Sequence, residues 1–197
     1  MIPVAQDAEP AAFEEGCRKP GNDWLAANLD RKKGFRDYWT AFWENLAEAF
    51  HDRCGWWAMR IECGEVDHFL SKSKPAHRTL IYEWSNYRYI APTVNKSKGT
   101  KDDRVLDPFE VEEGWFEVLL PSLELVVTRL IPAEKIDRAR FTLRALHLAR
   151  GAKVRRNRRR WYEDYKAGRI TKAGLVAFAP LVAEAVQRRE AAGLPLP

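Results

Sequence analysis

Two stretches decide the reading of this chain: GEVDHFLSKSK at residues 64–74 and EWSNYRYIAPTVNKSKG at residues 83–99. In the first, Val66 leads into Asp67 and His68, and Phe69 follows. In the second, Asn86 precedes an aromatic cluster, Pro92 interrupts it, and Asn95 sits in a turn-like NKSKG closed by Gly99. Neighbouring side chains of a strand point to opposite faces. Asp67 and His68 therefore work together only if the backbone bends there or a metal is gripped from a corner. Asn95 suits a turn or a helix start. Hydrolysis of a phosphodiester needs a base for the attacking water and a cation for the phosphate oxygens. One imidazole, one carboxylate and one amide oxygen are the minimum set. A neutral imidazole, with its ordinary pKa near 6.5, is suited to the base. Oxygen ligands suit Mg²⁺ or Mn²⁺, with water and phosphate completing the shell.

Taken together, these motifs resemble the ββα-metal core of HNH endonucleases. That core has a D/H-H pair on its first strand, a middle Asn after a short linker, and a final H/N in an N-x-x-K-G setting. The resemblance covers residues 50–108. RCGWWAMRIECGEVDHFLSKSK and VLDPFE are most similar to the HNH partner nucleases of Septu-type and retron-linked anti-phage systems, which are encoded beside an ATPase. The resemblance implies that His68 is the general base, that Asp67 and Asn95 hold a single Mg²⁺ or Mn²⁺, and that Asn86 orients the loop and the base. It also implies that Lys98, with Lys72, meets phosphate.

The chain departs from that family in its knuckles. Cys54 and Trp57 stand where the first C-x-x-C would be, and Ala91 and Val94 where the second would be. A closed zinc site needs four ligands, so structural zinc is not expected and apolar packing should fill the place. A rescue by Cys54, Cys63, His51 and His77 is the alternative. Leu70-Ser71 replaces the family's usual Pro, which leaves the loop shape open.

Outward from this core, residues 1–22 are rich in Ala, Pro and acids without periodicity, and read as a flexible N-terminal arm or one that lies on a partner. Residues 23–53 form an N-terminal helical region. Phe35, Tyr38, Trp39, Phe42, Trp43, Leu46, Ala49 and Phe50 recur at three- and four-residue steps, which predicts one aromatic-faced helix over 35–50 packing the core. The HNH-like core occupies 54–108. In 109–197, Trp115–Leu120 and Leu123–Thr128 read as a strand pair, followed by helices. Ile136, Ala139, Leu143 and Leu146 form one stripe, Gly151 is a break, and GAKVRRNRRRWYEDYKAG is a very basic helix ended by Gly168. Thr171 caps a last helix that Pro180 kinks or restarts. The fold class is α+β: a small ββα-metal core between an aromatic N-terminal helix and a helical C-terminal region.

The chain has 197 residues, a net charge of +5 and 46% hydrophobic residues, which excludes a disordered chain. No apolar run is long enough to span a bilayer, and the first residues do not read as a secretory leader. Three cysteines are too few for a disulfide framework. A cytoplasmic location is expected. The charge is uneven: residues 105–128 carry six acids and no base, and residues 129–160 carry twelve bases and two acids. Such a field attracts polyanions. Arg155, Arg156, Arg158, Arg159 and Arg160 are expected to line a nucleic-acid groove or, alternatively, to dock an acidic partner. Trp161 and Tyr162 either stack on a base or pack.

The function expected is metal-dependent cleavage of nucleic acid, DNA favoured over RNA, as an effector of an anti-phage complex whose protein partner is an ATPase subunit. Two alternatives stand beside it: a tRNA-type RNA nuclease toxin with the same site, and a nucleic-acid-binding scaffold with a vestigial core.

Overall fold

A computed structural model describes residues 1–197 and shows a mixed α+β chain built on three small antiparallel hairpins. β1 (Arg53–Cys54) pairs with β2 (Met59–Arg60), β3 (Glu65–His68) with β4 (Tyr87–Ile90), and β5 (Phe116–Leu119) with β6 (Glu124–Val127). Helices α1 (Lys19–Ala27) and α2 (Trp43–Ala49) precede the central hairpin, and α3 (Pro92–Lys98) follows it directly. Four helices end the chain: α4 (Ala133–Ala145), α5 (Ala152–Lys166), α6 (Lys172–Phe178) and α7 (Pro180–Ala191). None is long and apolar enough to cross a membrane.

The β3–β4 hairpin organises the molecule because its two faces are covered by different parts of the chain. Period-2 alternation puts Val66, His68, Tyr87 and Tyr89 on one face. They meet Phe13, Cys17, Trp39, Phe42, Leu46 and Phe50 in an aromatic cluster. Glu65, Asp67, Arg88 and Ile90 lie on the other face. There Ile90 joins Phe69, Ala91 and Val94 in a larger core shared with β5, β6 and the C-terminal helices. The segment 54–108 is thus not a separate body. Cys54, Trp56, Phe69, Ile90 and Val94 share one core with 109–197, while Ile81, Tyr82, Trp84, Tyr87 and Tyr89 join the aromatic cluster.

Two local expectations need correction. Residues 1–22 are not a free arm: Met1, Phe13 and Cys17 are buried, and Phe13 packs edge-on against Phe42, Trp84 and Tyr87. The aromatic segment 35–50 is not one helix. A 3₁₀ turn at Trp39–Phe42 leads into the shorter α2. The 3.6-residue pattern marked the buried face correctly, but residues 35–38 reach their partners from outside a helix: Phe35 packs on Trp24 and Tyr38 on Tyr82.

The C-terminal reading holds in detail. β5 and β6 pair in the register Phe116↔Val127. Gly168 adopts φ +70° just beyond α5, the left-handed position that glycine fills without strain. Thr171 Oγ1 accepts from the Gly174 N–H at the start of α6, and Pro180 restarts the chain as α7.

Arg158 corrects the expectation of five groove arginines. It is buried, and its guanidinium donates to the carbonyls of Leu123 (3.0 Å), Leu148 (2.9 Å) and Ala149 (3.4 Å). Burial lowers its pKa to about 10, still cationic at neutral pH. It ties α5 to the turn before β6 and to the turn that follows α4. Arg158→Leu should therefore destabilise the protein by about 3 kcal/mol, since it leaves buried carbonyls without donors. Arg159→Leu, at an exposed position, should stay within about 0.5 kcal/mol. Urea denaturation of both variants checks this; equal midpoints would contradict it.

Candidate functional site

Strand β3 and helix α3 meet along a polar seam. Glu65 and Asp67 are two residues apart on one face of β3, and Asn95 and Lys98 are three apart on the facing flank of α3. Asn95 Nδ2 donates to Glu65 Oε2 at 2.7 Å, near the surface. Lys98 Nζ, fully buried, lies 3.2 Å from Asp67 Oδ1 and 3.0 Å from Oδ2, and donates to the carbonyls of His68 (3.1 Å) and Phe69 (2.9 Å). Three helical residues rise about 4.5 Å and two strand residues about 6.6 Å, so the two contacts are successive rungs.

The structure thus brings Asn95 to Glu65 and Lys98 to Asp67. Lys98 has no exposed surface, which removes it from the phosphate-contacting residues. It is instead the counter-charge of Asp67 and the anchor of α3. Burial raises the pKa of Asp67, and the Lys98 charge opposes the shift. Asp67 Oδ2 is buried and has no hydrogen bond of good geometry despite its closeness to the ammonium. Asn95 Oδ1 is left free by the bond its Nδ2 makes. These hard oxygens, together with the Glu65 carboxylate, fit Mg²⁺ or Mn²⁺ by donor type. No three His, Cys, Asp or Glu side chains converge anywhere in the molecule.

His68 points the other way, into the aromatic cluster, 4.7 Å from the Trp39 ring and 5.0 Å from Tyr87 between centroids. Its Nε2 lies 2.9 Å from the Ile81 carbonyl, which can only accept, so the proton sits on Nε2. Nδ1 then carries the lone pair. It makes no hydrogen bond within the protein, yet it is not among the walled-off polar atoms that lack a partner. Burial, followed by the charges of Lys72 and Lys98, lowers the His68 pKa to about 3. The ring is therefore neutral and oriented, and a weaker base than the ordinary imidazole near pKa 6.5 that the sequence led one to expect.

The loop between the strands is pinned from two sides. Asn86 Oδ1 accepts from the Leu70 N–H at 2.8 Å, and its Nδ2 donates to the carbonyls of Leu70 (3.1 Å) and Leu80 (3.0 Å). The fully buried Asp102 accepts from the Ser71 N–H at 3.0 Å and pairs with Lys74. Between these anchors Lys72 Nζ rests 4.1 Å over the Trp39 ring, its pKa lowered by burial. The structure thus sets Asn86 and Lys72 in the loop on the His68 side, while Asp67 lies on the opposite face of β3 against Lys98, so Asp67 and His68 are not brought together.

The residues at the knuckle positions also converge, as packing. Cys54 Sγ accepts from the Trp57 N–H at 3.5 Å and the Ala91 N–H at 3.3 Å, and Ala91 and Val94 are buried in the same core. Burial raises the Cys54 thiol pKa. Cys63 is exposed. His77 is not solvated as a loop residue should be; its Nδ1 lies 3.6 Å from Asp102. His51 is exposed at the turn after α2, and His147 at the turn after α4 with φ +54°.

Sequence reading missed Glu65, although its place two residues before Asp67 on a strand was the available signal. It also missed Asp107, whose carboxylate takes the buried Arg88 guanidinium bidentately at 2.7 and 2.5 Å. No protein-family model, curated protein or solved structure matches this chain.

The His68 environment fixes a pH dependence. A histidine pKa that is lower in the folded chain than in the unfolded chain contributes stability above about pH 6.5, lost as the pH falls toward the folded value. In metal-free protein, ¹⁵N shifts should keep His68 neutral with its proton on Nε2 from pH 8 down to about 4. Titration of His68 near 6.5 would contradict the burial argument.

Proposed function

We propose that this chain is a metal-dependent nuclease of the HNH type, cutting nucleic-acid phosphodiesters with the β3–β4–α3 unit. The observation that carries the reading is His68: a neutral imidazole whose Nε2 proton is held by Ile81 and whose Nδ1 is free, on the face of β3 opposite a run of oxygen donors. In this reading Nδ1 takes the proton from the attacking water as the new P–O bond forms, the P–O bond to the leaving oxygen breaks, and that oxygen takes a proton from solvent. Asn86 keeps the loop that carries the Ile81 carbonyl in register, through its bond to Leu80. Lys72, at the edge of the Trp39 ring, places a positive charge where the polyanion arrives.

Asp67 and Asn95, with Glu65 beside them, would hold Mg²⁺ or Mn²⁺. When bound there, the ion supplies charge to the phosphate oxygens and the leaving group. Arg156, Arg159 and Arg160 are exposed on α5 and Arg155 is partly so, which supports a role in collecting the polyanion. DNA is favoured as the substrate, in the cytoplasm, within an anti-phage complex that includes an ATPase subunit. That assignment rests on the motif resemblance.

Cleavage of plasmid or oligonucleotide should require Mg²⁺ or Mn²⁺ and stop with EDTA. His68→Ala should slow it by about 10²–10⁴ with nucleic-acid binding unchanged. A His68→Ala rate equal to wild type would remove His68 as the base. Retained cleavage in EDTA would remove the metal.

A further inference from the structure

Three hollows join into one groove on the flank of α3 turned away from Asn95. The first, about 400 Å³, lies between α3 and the start of α5, beside Lys96, Ser97 and Lys153. It shares Trp57 and Thr93 with a second of about 540 Å³, whose far wall is Arg160, Trp161 and Phe178. That hollow shares Arg60 and Phe178 with a third of about 300 Å³, which ends at Arg53 and His51. Helical spacing of about 100° per residue explains the separation: Thr93, Lys96 and Ser97 face the groove while Asn95 faces β3.

The chemistry of the lining is specific. Trp161 and Phe178 lie 4.9 Å apart at 36°, and together with Trp57 they form partly exposed aromatic surfaces along the middle of the groove. Cations stand at intervals beside them. The Arg160 guanidinium lies 5.6 Å over Trp161 and that of Arg60 5.2 Å over Phe178. Lys96, Lys153 and Arg53 have no acidic partner, while Arg60 pairs with Asp52 at 3.7 Å and Arg160 reaches Asp164 at 4.0 Å, both near the surface. Glu62 is the one acid in the lining. Tyr162, by contrast, is buried and donates to the Pro197 carbonyl, so it is no part of this surface.

We propose that this groove binds single-stranded nucleic acid, with bases stacked on Trp57, Trp161 and Phe178 and phosphates met by the cations between them. Planar aromatic faces alternating with cations in excess of acids match a strand whose bases are free to stack. A duplex hides its base faces and presents phosphates, sugars and base edges, none of which stacks on a ring. An acidic protein segment would satisfy the cations but leave the aromatic floor without a planar partner. The groove extends the basic field of α5 to α3 and the β1–β2 hairpin, which places the strand across the helix from the cleavage seam. Binding here does not require that seam to be active.

The experiment is fluorescence anisotropy with labelled oligothymidylate or oligouridylate of about 12 nucleotides, with EDTA present throughout so that cleavage plays no part. Wild type should bind both single strands, and a duplex of equal length more weakly. Trp161→Ala should weaken binding about five- to a hundredfold, the range for losing one stacked base. Trp161→Phe should bind close to wild type. Arg160→Gln, at an exposed position that cannot unfold the chain, should lower the slope of log K against log salt by about 0.7. His68→Ala should bind as wild type, so a failure of the nuclease reading leaves this result intact. Unchanged affinity in a folded Trp161→Ala chain, equal affinity for duplex, or displacement of the strand by polyglutamate at equal charge would each overturn the proposal. The last outcome would identify the groove as a dock for an acidic protein.

Discussion

The structure depends on one buried ion pair. The Lys98 ammonium, without solvent contact, is held by the Asp67 carboxylate and by the carbonyls of His68 and Phe69, three consecutive residues at the end of β3. An unpaired charge in this position is untenable, and removing one partner of such a pair costs about 3–5 kcal/mol. The pair therefore fixes the rotation of α3 against the hairpin. With that rotation set, Asn95 faces Glu65, Val94 enters the core, and Thr93, Lys96 and Ser97 turn to the groove. A helix of only seven residues would not hold its orientation by propensity alone.

The two faces of the hairpin have different chemistry because alternation along β3 and β4 divides the side chains between them. One face is oxygen-rich and carries the charges. The other is aromatic, and its wall is supplied by the N-terminal 50 residues, whose rings surround His68. That wall keeps the imidazole neutral, while Ile81 and Asn86 determine where its proton sits. Asp102 and Lys74 close the loop from below and leave Lys72 as its outward cation. The Arg88–Asp107 pair, with Arg88 3.7 Å over Phe109, ties β4 to the segment that leads into the larger core. Polar contacts thus set the register, and the two apolar clusters supply the surrounding rigidity.

Much of this was legible because it is local. The strand pair at 115–128, the Thr171 cap, Gly168 and the Pro180 restart are rules of a few residues, and each holds. The aromatic spacing of 35–50 identified the buried face even though only its second half is α-helical. What sequence could not give was the destination of long cations. Lys98 and Arg158 look like their exposed neighbours Lys96 and Arg159. Only tertiary packing brings carbonyls within reach of their tips, and burial follows from that. Residues 1–22 read as an arm for a related reason: Phe13 and Cys17 are too sparse to form a pattern, yet they fill the space above Tyr87. Glu65 was hidden behind the more conspicuous Asp67-His68.

In the nuclease reading proposed above, the oxygens along the β3–α3 seam would receive a divalent cation even though Lys98 already balances Asp67. Mn²⁺ titration followed by the EPR signal of the free ion tests this directly. Wild-type protein should take up about one ion per chain, and Asn95→Ala, a change near the surface that leaves the Lys98–Asp67 pair in place, should take up none at the same concentration. Equal uptake by the two proteins, or none by wild type, would contradict the account.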